Sequence, residues 1–136
     1  MTHHQMWRDE YFGHEEFQII CKVALQLAFK NAPEKMQPFF KPCITECWGA
    51  LYKKGDFTRS HDHWPAIWSF CYYVNVSKTC APLRFPGAEL SIKPKNGLMI
   101  LFPGWIEHSV PKQKNDHHRI MVAGNISQDL NLHEKA

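Results

Sequence analysis

The run His61-Asp62-His63 is the part of this 136-residue sequence best suited to do chemistry. Imidazole is the commonest metal ligand and a frequent acid or base at neutral pH. The stretch Phe57–His63 predicts a strand. Alternation along a strand puts His61 and His63 on one face and Asp62 on the other. Two imidazoles on one face fit two adjacent positions around a metal ion, and a third must come from elsewhere. His108, on a later predicted strand beyond Pro103-Gly104, supplies it. The geometry favours His61, His63 and His108 as metal ligands. Asp62 is the alternative carboxylate, should a bulge turn it inward.

Eleven residues after His108 comes Arg119, which opens the run Arg119-Ile-Met-Val-Ala-Gly-Asn125. Period two places Arg119, Met121, Ala123 and Asn125 on a common face. An inward arginine in a small β structure is costly unless an anion meets it. A dicarboxylate held by the metal at one end and by the guanidinium at the other answers that cost, because arginine pairs with carboxylates through two parallel hydrogen bonds.

These residues need a scaffold, and the pattern around them supplies one. From His14 to Asn31 the apolar positions Phe17, Ile20, Cys21, Ala24, Leu25, Leu27 and Ala28 keep helical spacing. Glu15 and Glu16 suit the helix's first turn, and Pro33 closes it. Beyond Pro42 the pattern turns to short β-rich runs: 46–53, 57–63, 67–76, 83–85, 89–93, 98–102, 107–110 and 119–126. Turn residues such as Gly55, Pro86-Gly87, Asn96-Gly97 and Pro103-Gly104 punctuate them. Eight short strands after one long helix predict a mainly β fold, a jelly roll of two sheets with the N-terminal helix packed outside. The chain reads as a single domain over 1–136, with the helix at 14–31 and the β core at 46–126.

A longer set of residues carries a resemblance. It comprises Trp48 to Phe57, His61-x-His63-x-Pro65, Ser69-x-x-Tyr72-Tyr73-Val74, the segment from Gly97 through Phe102-Pro103-Gly104-Trp105 to His108, and Arg119-Ile120 with Asn125. In these the chain resembles the small Fe(II)/2-oxoglutarate-dependent oxygenases often met in phages and marine bacteria. The resemblance implies a double-stranded β-helix with iron at its mouth, and Fe(II) and 2-oxoglutarate as cofactors. It further implies His61 and His108 as the two metal histidines, and Arg119 as the receiver of the distal carboxylate of 2-oxoglutarate. Tyr72 or Tyr73, with Asn125, would line the same pocket. The activity implied is hydroxylation of a small-molecule or peptide substrate with release of succinate and CO2. The chain departs from the superfamily at two positions: His63 stands where Asp or Glu is usual, and Met121 where a serine is common. His-x-His with a later histidine also resembles the cupin motifs, so a three-histidine metal dioxygenase is the alternative, and a non-catalytic ligand-binding jelly roll is the third reading.

Composition excludes other classes. Hydrophobic residues at 44% and charged residues at 21% are ordinary for a globular chain. No stretch of 18 apolar residues exists, so no membrane span is expected. The residues before the helix lack a basic region followed by an apolar one, which argues against a secretory signal. A net charge of +3 without a basic run gives no reason to expect nucleic acid. Five cysteines without a paired framework suit reduced thiols in the cytoplasm.

Overall fold

The computed structural model describes residues 15–130. His14, where the helix was expected to begin, and the N-terminal residues weighed for a secretory signal lie outside the described residues.

The helix α1 spans Glu15–Lys30, with Glu15 and Glu16 in its first turn and Lys30 in its last. Both placements suit the helix dipole. Its buried face is made of small residues, Cys21, Ala24 and Ala28, which let the backbone come close to a flat partner. That partner is a sheet. A short 3-10 segment, Glu34–Phe39, then leads the chain into the strands.

Among the described residues eight strands follow: β1 (Pro42–Tyr52), β2 (Thr58–His61), β3 (Trp68–Asn75), β4 (Leu83–Phe85), β5 (Leu90–Ile92), β6 (Met99–Pro103), β7 (His108–Val110) and β8 (Arg119–Gln128). They form two four-stranded sheets, ordered β1-β8-β3-β6 and β2-β7-β4-β5, and every pairing is antiparallel. Strands that alternate between two facing sheets in this order make a double-stranded β-helix, the jelly roll that the sequence pattern predicts.

Two apolar layers hold the fold together. Tyr73, Phe85, Phe102, Val110 and Met121 belong to the cluster between the sheets. Cys47, Phe70, Val122 and Ile126 join Cys21, Ala24 and Ala28 between the first sheet and α1. The helix therefore sits outside the barrel, against β1, β3, β6 and β8. Alternation along β8 sends Arg119, Met121, Ala123 and Asn125 to the inner face, opposite Tyr52, Ala50, Trp48 and Glu46 of β1. Among the described residues, no helix is long and apolar enough to cross a membrane.

Most strand ends shift by one or two residues from the expected bounds, and the differences at the start of β1 and the end of β2 have a physical reason. β1 begins at Pro42 rather than residue 46, because a register shift between Ile44 and Glu46 lets the strand continue pairing with β8 as far as Gln128. β2 ends at His61, not His63, since the chain there leaves the sheet for the Trp64-Pro65 turn.

Candidate metal and co-substrate site

Among the described residues, β2 is an edge strand and pairs only with β7. His61 faces His108 directly across that ladder. Between Thr58, opposite Val110, and His61, opposite His108, β2 carries one residue more than β7. This bulge explains how Thr58 and His61, three residues apart, both line the inner cavity. His63 reaches the same place by another route. It lies past the end of the strand, where its backbone N–H donates to the Gly104 carbonyl at 2.8 Å, and Gly104 N–H donates in turn to Ile67. Two hydrogen-bonded loops, rather than strand alternation, bring His63 beside His61.

The outcome is a cluster in which one ligand nitrogen each from His61, His63 and His108 lie within 4.8 Å of one another. Their ring centroids are 4.3 to 4.9 Å apart. Two of the rings are oriented by the backbone. His61 Nδ1 is 2.8 Å from the Arg59 carbonyl and His108 Nδ1 is 3.1 Å from the Ile106 carbonyl. A carbonyl only accepts, so Nδ1 carries the proton in both and Nε2 keeps a free lone pair for a metal. Burial, with a smaller push from His61, lowers the pKa of His63. Burial likewise pushes His108 down to about 4, against an opposing pull from the Ile106 carbonyl. These two rings are thus neutral at pH 7, the form that binds metal. The donor set fits a divalent first-row ion such as Fe(II), which imidazole suits and which keeps open positions when the protein supplies three ligands. Asp62 is turned outward instead, and its Oδ1 accepts the Trp64 N–H at 3.0 Å.

The cluster stands at one side of a cavity of about 350 Å3, also lined by Trp48, Tyr52, Thr58, Cys71, Phe102, Met121 and Ala123. That volume is at the small end for ligand pockets. A groove on the other side of His63 is lined by Glu46, Asp62, Trp64 and Asn125.

Arg119 lies on the inner face as alternation predicts, and it is wholly buried at 0% exposure. Nε donates to the Ala81 carbonyl at 3.2 Å, Nη1 to Met121 Sδ at 2.7 Å and Nη2 to the Tyr73 hydroxyl at 3.3 Å. The guanidinium carbon is 4.8 Å from the centroid of the Tyr52 ring and 5.1 Å from that of Tyr73. Of the two tyrosines left open by the sequence, Tyr73 therefore faces the arginine, whereas Tyr72 packs in the layer beneath α1. Asn125 is buried, and its Oδ1 accepts the Ser69 hydroxyl at 2.8 Å. Sequence reasoning missed Tyr52 and Thr58, whose hydroxyls touch each other on the cavity wall. Tyr52 stands opposite Arg119 in the β1–β8 ladder. Only that register, which no local spacing encodes, could have found it.

Comparison with known proteins adds a separate line of observation. Residues 86–125 match the family described as "Putative 2OG-Fe(II) oxygenase". The matched segment contains His108 and Arg119 but not His61 or His63. No curated protein sequence matches the chain. Among solved structures, the chain is similar to an oxidoreductase of the 2OG-Fe(II) oxygenase family from Burkholderia pseudomallei, at TM-score 0.69 and 13% identity, over 88% of this chain and 60% of that one. It thus spans less than two thirds of that protein's length. It is similar also to a Pseudomonas putida prolyl-4-hydroxylase, at TM-score 0.64 and 22% identity, over 86% of this chain and 68% of that one. A third similar structure is the viral collagen prolyl hydroxylase of Paramecium bursaria Chlorella virus-1 in its 2OG complex, at TM-score 0.57 and 17% identity, over 80% and 71% of the two chains. At these identities the structural likeness speaks for the fold. Residues 86–125 carry the sequence signature of the 2OG-Fe(II) oxygenases, whose cofactors are Fe(II) and 2-oxoglutarate, on a fold that solved members of that family share.

Proposed function

We propose that this chain is an Fe(II)- and 2-oxoglutarate-dependent oxygenase that hydroxylates a small-molecule or peptide substrate and releases succinate and CO2. One observation carries the reading. Three converging imidazoles stand on a cavity next to a buried arginine that, among the described residues, meets no carboxylate. The oxygenase signature over residues 86–125 supports it independently.

His61, His63 and His108 would hold the iron through Nε2 or its equivalent, with the Arg59 and Ile106 carbonyls fixing two of the rings. When bound, Fe(II) supplies O2 activation coupled to oxidative decarboxylation of 2-oxoglutarate, chemistry that belongs to the cofactors. The protein's part is to hold and orient. Arg119 receives the distal carboxylate, Tyr73 and Tyr52 keep the guanidinium plane in place, and the apolar walls Phe102, Val110 and Leu83 exclude water. Asn125 and Ser69 form a fixed polar pair on the inner face beside the groove. Trp64 and Trp105, 73% and 62% exposed, offer flat surfaces to a substrate near the iron end. The prolyl hydroxylases among the similar structures make a peptide a reasonable class to test first. We place the chain's work in the cytoplasm, as one domain, where its five cysteines stay thiols.

The test is anaerobic reconstitution with Fe(II), followed by exposure to O2 and 2-oxoglutarate. Stoichiometric iron and succinate formation are expected from the wild type, with both lost in His61→Ala and His108→Ala. Full iron occupancy in those variants would remove the site. Iron binding without succinate would instead leave the three-histidine dioxygenase reading.

A further inference from the structure

Arg119 is placed to hold an anion, yet it does not line the cavity from which an anion would come. Met121 does. It lies two residues along the same inner face of β8, forms part of the cavity wall and presses its thioether sulfur on Nη1 at 2.7 Å. We propose that Met121 is a displaceable plug, which closes the co-substrate chamber at rest and swings aside when the distal carboxylate of 2-oxoglutarate reaches Arg119. The inference rests on the co-substrate reading of Arg119 given above.

The other partners of the guanidinium are poor candidates for exchange. Ala81 offers a backbone carbonyl fixed by its own N–H, which donates to Gln113 Oε1 at 2.9 Å. Tyr73 is fully buried in the core between the sheets. Cys80 also bonds the guanidinium through its thiol, but that side chain is buried and turns about a single bond. Met121 joins a weak acceptor to a long, mobile side chain. A thioether is among the weakest acceptors a protein contains. Methionine also has three rotatable bonds and repacks with little strain. A carboxylate forms shorter and stronger hydrogen bonds with a guanidinium than any neutral group does. Exchanging sulfur for carboxylate therefore gives the buried cation the counter-ion it lacks, and the side chain that must move is one built to move. Met121 keeps water from the arginine until the co-substrate arrives.

The direct test follows the Met121 methyl group by 13C NMR in full-length protein loaded with Zn(II), a diamagnetic stand-in for iron, with Met121→Leu identifying the resonance. Adding 2-oxoglutarate, with saturation verified by calorimetry, should move that resonance while the four other methionines serve as controls. A Met121 signal unchanged at saturation would overturn the plug. Stopped-flow tryptophan fluorescence gives the rate. Met121→Ala should bind 2-oxoglutarate faster and about 3- to 10-fold more tightly, the worth of one weak hydrogen bond no longer broken. Unchanged or weaker binding by a folded Met121→Ala protein would also overturn it. If calorimetry finds no 2-oxoglutarate binding to either protein, the co-substrate reading of Arg119 itself fails. If the wild type binds and the methyl group stays still, only the plug does.

Discussion

Lowering the pH tests whether burial holds His108 neutral. In the folded protein its pKa is pushed down to about 4, chiefly by burial, whereas an unfolded chain leaves histidine near 6.5. Above 6.5 the ring is neutral in both states and contributes no pH dependence. Between 6.5 and 4 the unfolded chain takes up a proton that the folded protein refuses, so stability falls as the pH falls. At 1.36 kcal/mol per pH unit, the gap of about 2.5 units corresponds to about 3 kcal/mol lost by pH 4. His63 adds to the trend, because its pKa is lowered too. The perturbation that isolates His108 is His108→Asn, which keeps a donor for the Ile106 carbonyl and cannot titrate. Urea denaturation of metal-free protein in chelator, at half-unit steps from pH 7.5 to 4, should give a wild-type curve steeper than the variant's by about 3 kcal/mol over that range. Parallel curves would refute the reasoning, because they would mean that His108 is as well solvated in the fold as in the unfolded chain.

Arg119→Ala should weaken 2-oxoglutarate binding by about 30-fold or more in calorimetry, since losing one partner of a buried charged hydrogen bond costs about 2–5 kcal/mol; Arg119→Lys should recover only part of it, because an ammonium lacks the planar fork. His63→Ala should strip the metal in elemental analysis and Asp62→Ala should leave it bound; the reverse result would assign the third ligand to the carboxylate. Gly104→Ala should lower the melting temperature and the metal affinity together, because the added Cβ lands on the Ala66 carbonyl oxygen in the loop whose hydrogen bond positions His63. Gly124→Ala, whose Cβ meets the Phe70 ring and lies 2.8 Å from the Glu46 carbonyl, should lower the melting temperature by disturbing the β1–β8–β3 packing.

Much of this was legible in the sequence, and the reasons are local. The helix shows its apolar spacing within 16 residues, and its observed span, Glu15–Lys30, falls inside the expected 14–31. The short strand Leu83–Phe85 lies between turn residues and keeps its expected bounds. Arg119 could be placed on the inner face because β8 stays regular through the residues concerned. The sequence was silent wherever two distant segments decide the outcome. The bulge in β2 arises from pairing with β7, forty-odd residues away, so spacing alone explained the approach of His61 to His63 by a strand that in fact ends between them. The inward choice of Tyr73 over Tyr72 follows from which face of β3 meets the helix, and two adjacent tyrosines look alike until that is known. The contact of Met121 with Arg119 depends on side-chain conformation, which residue order does not encode.

The position of β2 has a consequence for how the molecule holds its shape. It is a four-residue edge strand tied to the second sheet by a short, bulged ladder with β7. An edge so sparsely bonded is a natural place for fraying. His61 and His63 lie at its end, and His108 lies on the neighbouring strand. An ion shared by the three imidazoles would therefore act as a clasp, joining two points of the chain separated by the whole run of β3 to β6. Closing so long a loop removes freedom from the unfolded chain, as a cross-link does. Loss of the ion would loosen the rim first and leave the helix and the β1-β8-β3-β6 sheet intact, so hydrogen exchange in β2 should report metal occupancy while exchange in β8 stays indifferent to it.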